Sequence, residues 1–184
     1  TVAVVGLGQF GGSLAAALTK RRLARVIGVA RRGETARRAL RMRIVAEAST
    51  DLGAVSEADV VVLATPVRTL LRQIPEVAPL VRPGAILTDV GSTKKEILSA
   101  FRRAKPRAAV IAGHPMAGNE RAGLDGCDPD LFNDRPWVLI PAQFRTDSAQ
   151  VMVRAASSRD ITTPATYKTV CERVLDRAES RREI

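Results

Sequence analysis

At 184 residues with 46% hydrophobic side chains, the chain is long enough for one well-cored domain plus an appendage. Two full domains and wholesale disorder are excluded. Aromatic residues make up only 3%, so the core is aliphatic, and two cysteines are too few for a disulfide framework. No apolar run approaches the roughly 20 residues that a bilayer span requires, and the net charge of +10 favours anionic ligands or substrates.

In chain order, Thr1–Val5 is a short apolar run ending at Gly6, as in a buried parallel strand, and Phe10–Leu18 follows as a helix of small residues. Arg25–Ala30 is a second strand and Glu34–Arg43 a basic helix. Val60–Ala64 is a continuous apolar strand that stops at Thr65-Pro66, where proline cannot continue a central ladder. Arg68–Leu80 reads as a helix with Leu70, Leu71, Ile74 and Val77 on one face, bent or interrupted at Pro75. Ile86–Val90, Ala108–Ala112 and Trp137–Ile140 are strands, and Thr93–Arg103 is a helix. This alternation predicts an α/β fold with a doubly wound, mostly parallel sheet over residues 1–141. Residues 142–184 are polar and basic, and Thr169–Ile184 is expected to form a loosely docked helix with a narrow apolar stripe. They form a short, partly helical C-terminal tail.

Gly6-Leu7-Gly8-Gln9-Phe10-Gly11 is a G-x-G-x-x-G that follows a strand and opens a helix, the context in which it marks a dinucleotide-binding, Rossmann-type domain. Gly6 permits the tight turn, Gly8 lets the backbone approach a pyrophosphate, and Gly11 allows close helix–strand packing. The anion then rests on the amides at the helix N-terminus. The second strand ends Gly28-Val29-Ala30-Arg31-Arg32, with no carboxylate to bind a ribose 2′-hydroxyl. Guanidinium groups instead suit a 2′-phosphate. The expected cofactor is therefore NADP rather than NAD, with Arg31 the main contact and Arg32 or Thr35 in support. Ala64, Thr65 and Pro66 are expected to line the adenosine and ribose portions. Val90 and Gly91 lead to Ser92 beside the nicotinamide. Ser92 also fits as the N-cap of the following helix, and the two roles are compatible.

The arginine clusters admit a nucleic-acid reading. With no groove-reading motif and no stacking aromatics, an arginine-rich surface that attracts anionic substrates is favoured, with no nucleic acid or membrane as partner. No metal site is expected, and the setting is expected to be cytoplasmic.

The chain has one histidine, His114, between Gly113 and Pro115 after an apolar strand. Imidazole is the side chain best suited to move a proton near neutral pH, and a tight turn at a strand end would fix it in place. With the Val62-Leu63-Ala64-Thr65-Pro66-Val67, Asp89-Val90-Gly91-Ser92-Thr93-Lys94 and Gly113-His114-Pro115-Met116-Ala117-Gly118 segments, and Leu131-Phe132 to Pro141, the chain resembles the prephenate/arogenate dehydrogenase family of tyrosine biosynthesis over residues 1–141. The resemblance implies hydride removal from the ring carbon bearing the 4-hydroxyl of prephenate or arogenate, with loss of the ring carboxylate as CO2. It implies His114 as the base that takes the hydroxyl proton and Ser92 as the group that holds imidazole and hydroxyl in line. The Gly28-Val29-Ala30-Arg31 strand end looks like that of the NADP-preferring, often arogenate-using members.

Members of that family continue into a helical domain that forms the dimer and closes over the substrate with a Ser-His-Leu-Pro-type motif. No such motif occurs in 142–184. The expectation is an NADP-binding chain with weak or no turnover. The alternatives are a non-catalytic NADP-binding module and another NADP-linked reductase of the same superfamily.

Overall fold

The computed structural model describes residues 1–118, 121–141, 149–154, 158–159, 161–162 and 166–170. The chain divides into two compact units, Thr1–Ile140 and Pro141–Ile184.

In the first unit the elements are β1 (Val2–Val5), α1 (Gln9–Lys20), β2 (Val26–Val29), α2 (Gly33–Arg41), β3 (Glu47–Ser49), β4 (Val60–Leu63), α3 (Val67–Val77), β5 (Ile86–Asp89), α4 (Lys95–Ala104), β6 (Ala109–Pro115) and β7 (Trp137–Pro141). The seven strands form one sheet in the order β3-β2-β1-β4-β5-β6-β7. The pairings from β3 across to β6 are all parallel. This is the doubly wound order, and it reverses between β1 and β4.

Alternation along the strands divides the core into two layers. Ala3, Val5, Ile27, Val61, Leu63 and Leu87 pack on one face with Leu70, Ile74 and Val77 of α3 and Ile97 and Phe101 of α4. Val4 and Val26 point to the other face, against Ala15 and Ala16 of α1 and Ala36 and Ala39 of α2. Small residues bring α1 close to its neighbours: a Cβ at Gly12 would sit 2.9 Å from a Leu124 methyl.

The register is what positions the site. Ser49, Val29, Val5, Leu63, Asp89 and Ala112 lie side by side in one row across the sheet. The loops that begin at Thr50, Ala30, Gly6, Ala64 and Val90, together with the Gly113-His114 end of β6, therefore emerge at one level along the carboxyl edge. Ligands of such sheets bind there.

Several expectations are corrected. Helix α3 runs through Pro75 to Val77 without interruption, because the proline falls in the last turn and forfeits only one intrahelical bond. Helix α4 begins at Lys95, not Thr93, so Ser92 is not its N-cap; the capping position belongs to Lys94, whose carbonyl accepts from the Leu98 amide at 2.8 Å. β6 extends through Pro115, which places His114 on a strand rather than on a turn.

In the second unit, β8 (Ala149–Arg154) pairs antiparallel with β11 (Thr166–Val170), and β9 (Ser158–Arg159) with β10 (Ile161–Thr162). Thr169 and Val170 are thus in a strand, not at the start of a helix; β-branched and aromatic residues at 166–170 favour extended backbone there. The remainder of the expected helix, 171–184, lies outside the described residues. Among the described residues no helix is long and apolar enough to cross a membrane.

Candidate active site

The glycine loop is built by close approach. Gly6 has φ +99°, a conformation costly for any side chain, and a Cβ there would meet Thr65 at 2.5 Å and the Ala64 carbonyl group at 2.9 Å. Its amide donates to the Val29 carbonyl at 2.8 Å, which ties the loop to the end of β2. Gly8, by contrast, has nothing within 4 Å of where a Cβ would stand. Its backbone is bare toward the adjoining cleft, as a pyrophosphate seat requires.

That cleft, of about 540 Å³, is lined by Gly6, Leu7, Gly8, Ala30, Arg31, Arg32, Thr35, Thr65 and Pro66, all expected from the sequence. Thr50, Leu52, Thr69 and Gln73 line it as well. Sequence reasoning missed these four because none belongs to a glycine motif; the loops carrying Thr50 and Leu52 follow β3, a strand too short to be read. The Thr65 hydroxyl donates to the Gln73 side-chain oxygen at 2.7 Å, which fixes the wall formed by the start of α3.

The other expected cofactor residues do not line this cleft. Gly11 packs against the Gly6 carbonyl, and Ala64 sits behind both. Phe10 joins a ring cluster, with its centroid 6.4 Å from that of Phe132, which lies 5.2 Å from Trp137. The Val90 amide donates to the Leu63 carbonyl at 3.1 Å. Gln9 opens α1.

A second cleft, of about 390 Å³, is formed by His114, Pro115, Met116, Ala117, Gly118 and Arg135. His114 is half-buried and Ser92 is exposed. Adjacent parallel strands carry them: Ser92 lies three residues beyond Asp89 at the end of β5, and His114 lies within β6, two residues beyond Ala112, the partner of Asp89. Arg135 was not anticipated; it follows Asp134, whose positive φ of 53° turns the chain toward β7. The Met116 amide then donates to the Pro136 carbonyl at 2.9 Å.

Between the Ser92 and His114 segments lies a buried ion pair. Asp89 is fully buried and Lys94 is 12% exposed, with their charged atoms 2.5 Å apart. The Asp89 carboxylate accepts from the Gly91 amide at 2.8 Å and the Gly113 amide at 3.3 Å. Burial pushes the Lys94 ammonium below its ordinary value, against the opposing pull of Asp89. Among the described residues no group of His, Cys, Asp and Glu is placed to hold a metal ion.

Residues 14–157 match the family described as prephenate dehydrogenase, nucleotide-binding domain. The prephenate dehydrogenase of Bacillus subtilis is 34% identical over 155 residues, covering 82% of this chain and 42% of its own length. The crystal structure of Synechocystis arogenate dehydrogenase superposes with a TM-score of 0.71 at 38% identity, covering 76% of this chain and 49% of that one. Prephenate dehydrogenase from Aquifex aeolicus, crystallised with hydroxyphenyl propionate and NAD+, superposes with a TM-score of 0.70 at 27% identity, covering 76% and 50%. The chain thus spans about half the length of the relatives it matches.

Proposed function

Because the chain belongs to the prephenate dehydrogenase family through its nucleotide-binding domain, we propose that residues 1–141 form the NADP-binding domain of a cytoplasmic prephenate or arogenate dehydrogenase. The observation that carries this reading is the single row of strand ends. It sets the glycine loop, the Arg31 loop, the Ser92 loop and His114 along one edge of the sheet.

The residues present fit a dinucleotide. The bare backbone at Gly8 and the N-terminus of α1 receive the pyrophosphate. Arg31, with Arg32 and Thr35 on the same cleft wall, receives a 2′-phosphate, and no carboxylate lines that wall to repel it. When bound, NADP supplies the hydride acceptor.

The chain's own groups then handle the proton and the geometry. The carbon that surrenders hydride bears a hydroxyl, which must lose its proton as the carbonyl forms. The imidazole of His114 accepts that proton. The Ser92 hydroxyl holds the imidazole and the substrate oxygen in line. Loss of the ring carboxylate as CO2 leaves an aromatic ring and makes the oxidation irreversible in practice. The basic surface raises the local concentration of the anionic substrate.

The test is an initial-rate comparison of prephenate and arogenate, each with NADP and with NAD. The reading predicts NADP binding and a weak hydride transfer in which NADP is preferred over NAD. NADP binding with no turnover of either substrate would instead support a non-catalytic dinucleotide-binding module, and a clear preference for NAD would overturn the cofactor assignment.

A further inference from the structure

The chemistry proposed for His114 depends on where its backbone is held, and the hold comes from an unexpected source. Gly113, the residue before it, is gripped at both of its peptide groups. Its amide donates to one oxygen of the Asp89 carboxylate, while its carbonyl accepts from the Lys94 ammonium at 2.5 Å. The same ammonium donates to the other Asp89 oxygen, which also takes the Gly91 amide. One carboxylate and one ammonium therefore bind the loop carrying Ser92 to the strand carrying His114. A side chain at Gly113 has no room, since a Cβ would meet the Trp137 indole nitrogen at 2.8 Å and the Asp89 carbonyl oxygen at 2.9 Å.

We propose that Lys94 is a positioning residue, which with Asp89 sets the register of the Ser92 loop against His114. The proposal rests on the reading of His114 as the hydroxyl base. Neither Asp89 nor Lys94 lines the His114 cleft, so their effect is exerted through Gly113 and Gly91. A buried pair placed only for stability needs no second bond to the neighbour of the base. This ammonium divides its donors between the two loops.

Lys94→Met alone leaves a buried carboxylate uncompensated and is expected to destabilise the fold. The informative variant is Asp89→Asn/Lys94→Met, which removes both charges and the bond to Gly113 while leaving an acceptor for the Gly91 amide. The chain has one histidine, so the imidazole Cε1 proton gives one NMR line that reports His114 without assignment. The double variant is expected to recover the thermal stability lost in Lys94→Met and to bind NADP within about twofold of wild type, yet to lose about a hundredfold in kcat through misplacement of the base. Its histidine line should broaden or shift, and Lys94→Arg should restore part of kcat. A double variant with wild-type kcat and a wild-type histidine line would reduce the pair to a folding element and overturn the proposal. Failure of the base assignment itself reads differently: His114→Asn would keep its turnover, whereas the histidine line of the double variant would still report whether Lys94 positions the ring.

Discussion

Gly11 packs so closely on Gly6 that a Cβ at position 11 would overlap the Gly6 carbonyl oxygen, whereas a Cβ at Gly8, two residues beyond Gly6, would meet no atom of the chain. The two glycines are therefore required for different reasons, and substitution separates them. Gly11→Ala must push α1 off the loop, an overpacking expected to cost about 1–3 kcal/mol of stability along with dinucleotide affinity. Gly8→Ala should leave the melting temperature unchanged and weaken NADP binding, because its methyl group enters only the space left for the ligand. Thermal melts and dinucleotide titrations of the two variants check this. Equal loss of stability in both would contradict it.

Arg31 tests the cofactor assignment. Removing a guanidinium that pairs with a phosphate forfeits about 1.5–3 kcal/mol, roughly 10- to 100-fold in affinity. Arg31→Ala should therefore weaken NADP binding by that factor and leave NAD binding nearly unchanged. Arg31→Asp should reverse the preference by repelling the 2′-phosphate. Isothermal titration with both dinucleotides decides the matter; parallel losses for NADP and NAD would show that Arg31 does not read the phosphate.

The segment ahead of β7 predicts a pH dependence. Asp125 is held below its ordinary value of 3.8 by its hydrogen bond and charge attraction to Arg38 of α2. Asp130 is likewise lowered, first by its hydrogen bond to Lys20 and then with help from Arg21. A carboxylate whose folded value is depressed contributes stability above its unfolded value and loses it as pH falls through the folded value. Thermal stability should thus drop as pH is lowered past 3.8, modestly because both pairs are exposed. An Asp125→Asn/Asp130→Asn variant should show a shallower acid slope, and an unchanged slope would rule out these pairs as its source.

The β1–glycine loop–α1 unit was legible because its signals are local: an apolar run, three spaced glycines and a helix of small residues. The cleft walls at Gly6, Ala30, Arg31 and Thr65 followed from strand ends that could be read directly. What escaped was what depends on distant pairing. β3 is three residues, Glu47-Ala48-Ser49, with no β-branched side chain, and it forms because Val29 offers it an edge. The glycine and proline that flank His114 predict a turn. Extended backbone persists there because Asp89 and Lys94 bind Gly113 and because Met116 bonds to Pro136. Lys94 itself read as a residue of a helix start; its recruitment by Asp89 is visible only once β5 and β6 lie side by side. At Thr169 and Val170, a narrow helical stripe lost to pairing with Gln150 and Ala149.

In the proposed reaction His114 takes the hydroxyl proton at a site where NADP is already bound. The most direct measurement is NADP affinity and prephenate or arogenate turnover for wild type and His114→Asn, side by side. The variant is expected to bind NADP as wild type does, because His114 lies outside the dinucleotide cleft, and its turnover to fall by at least about a hundredfold. Turnover retained within about tenfold would contradict this and remove His114 as the base.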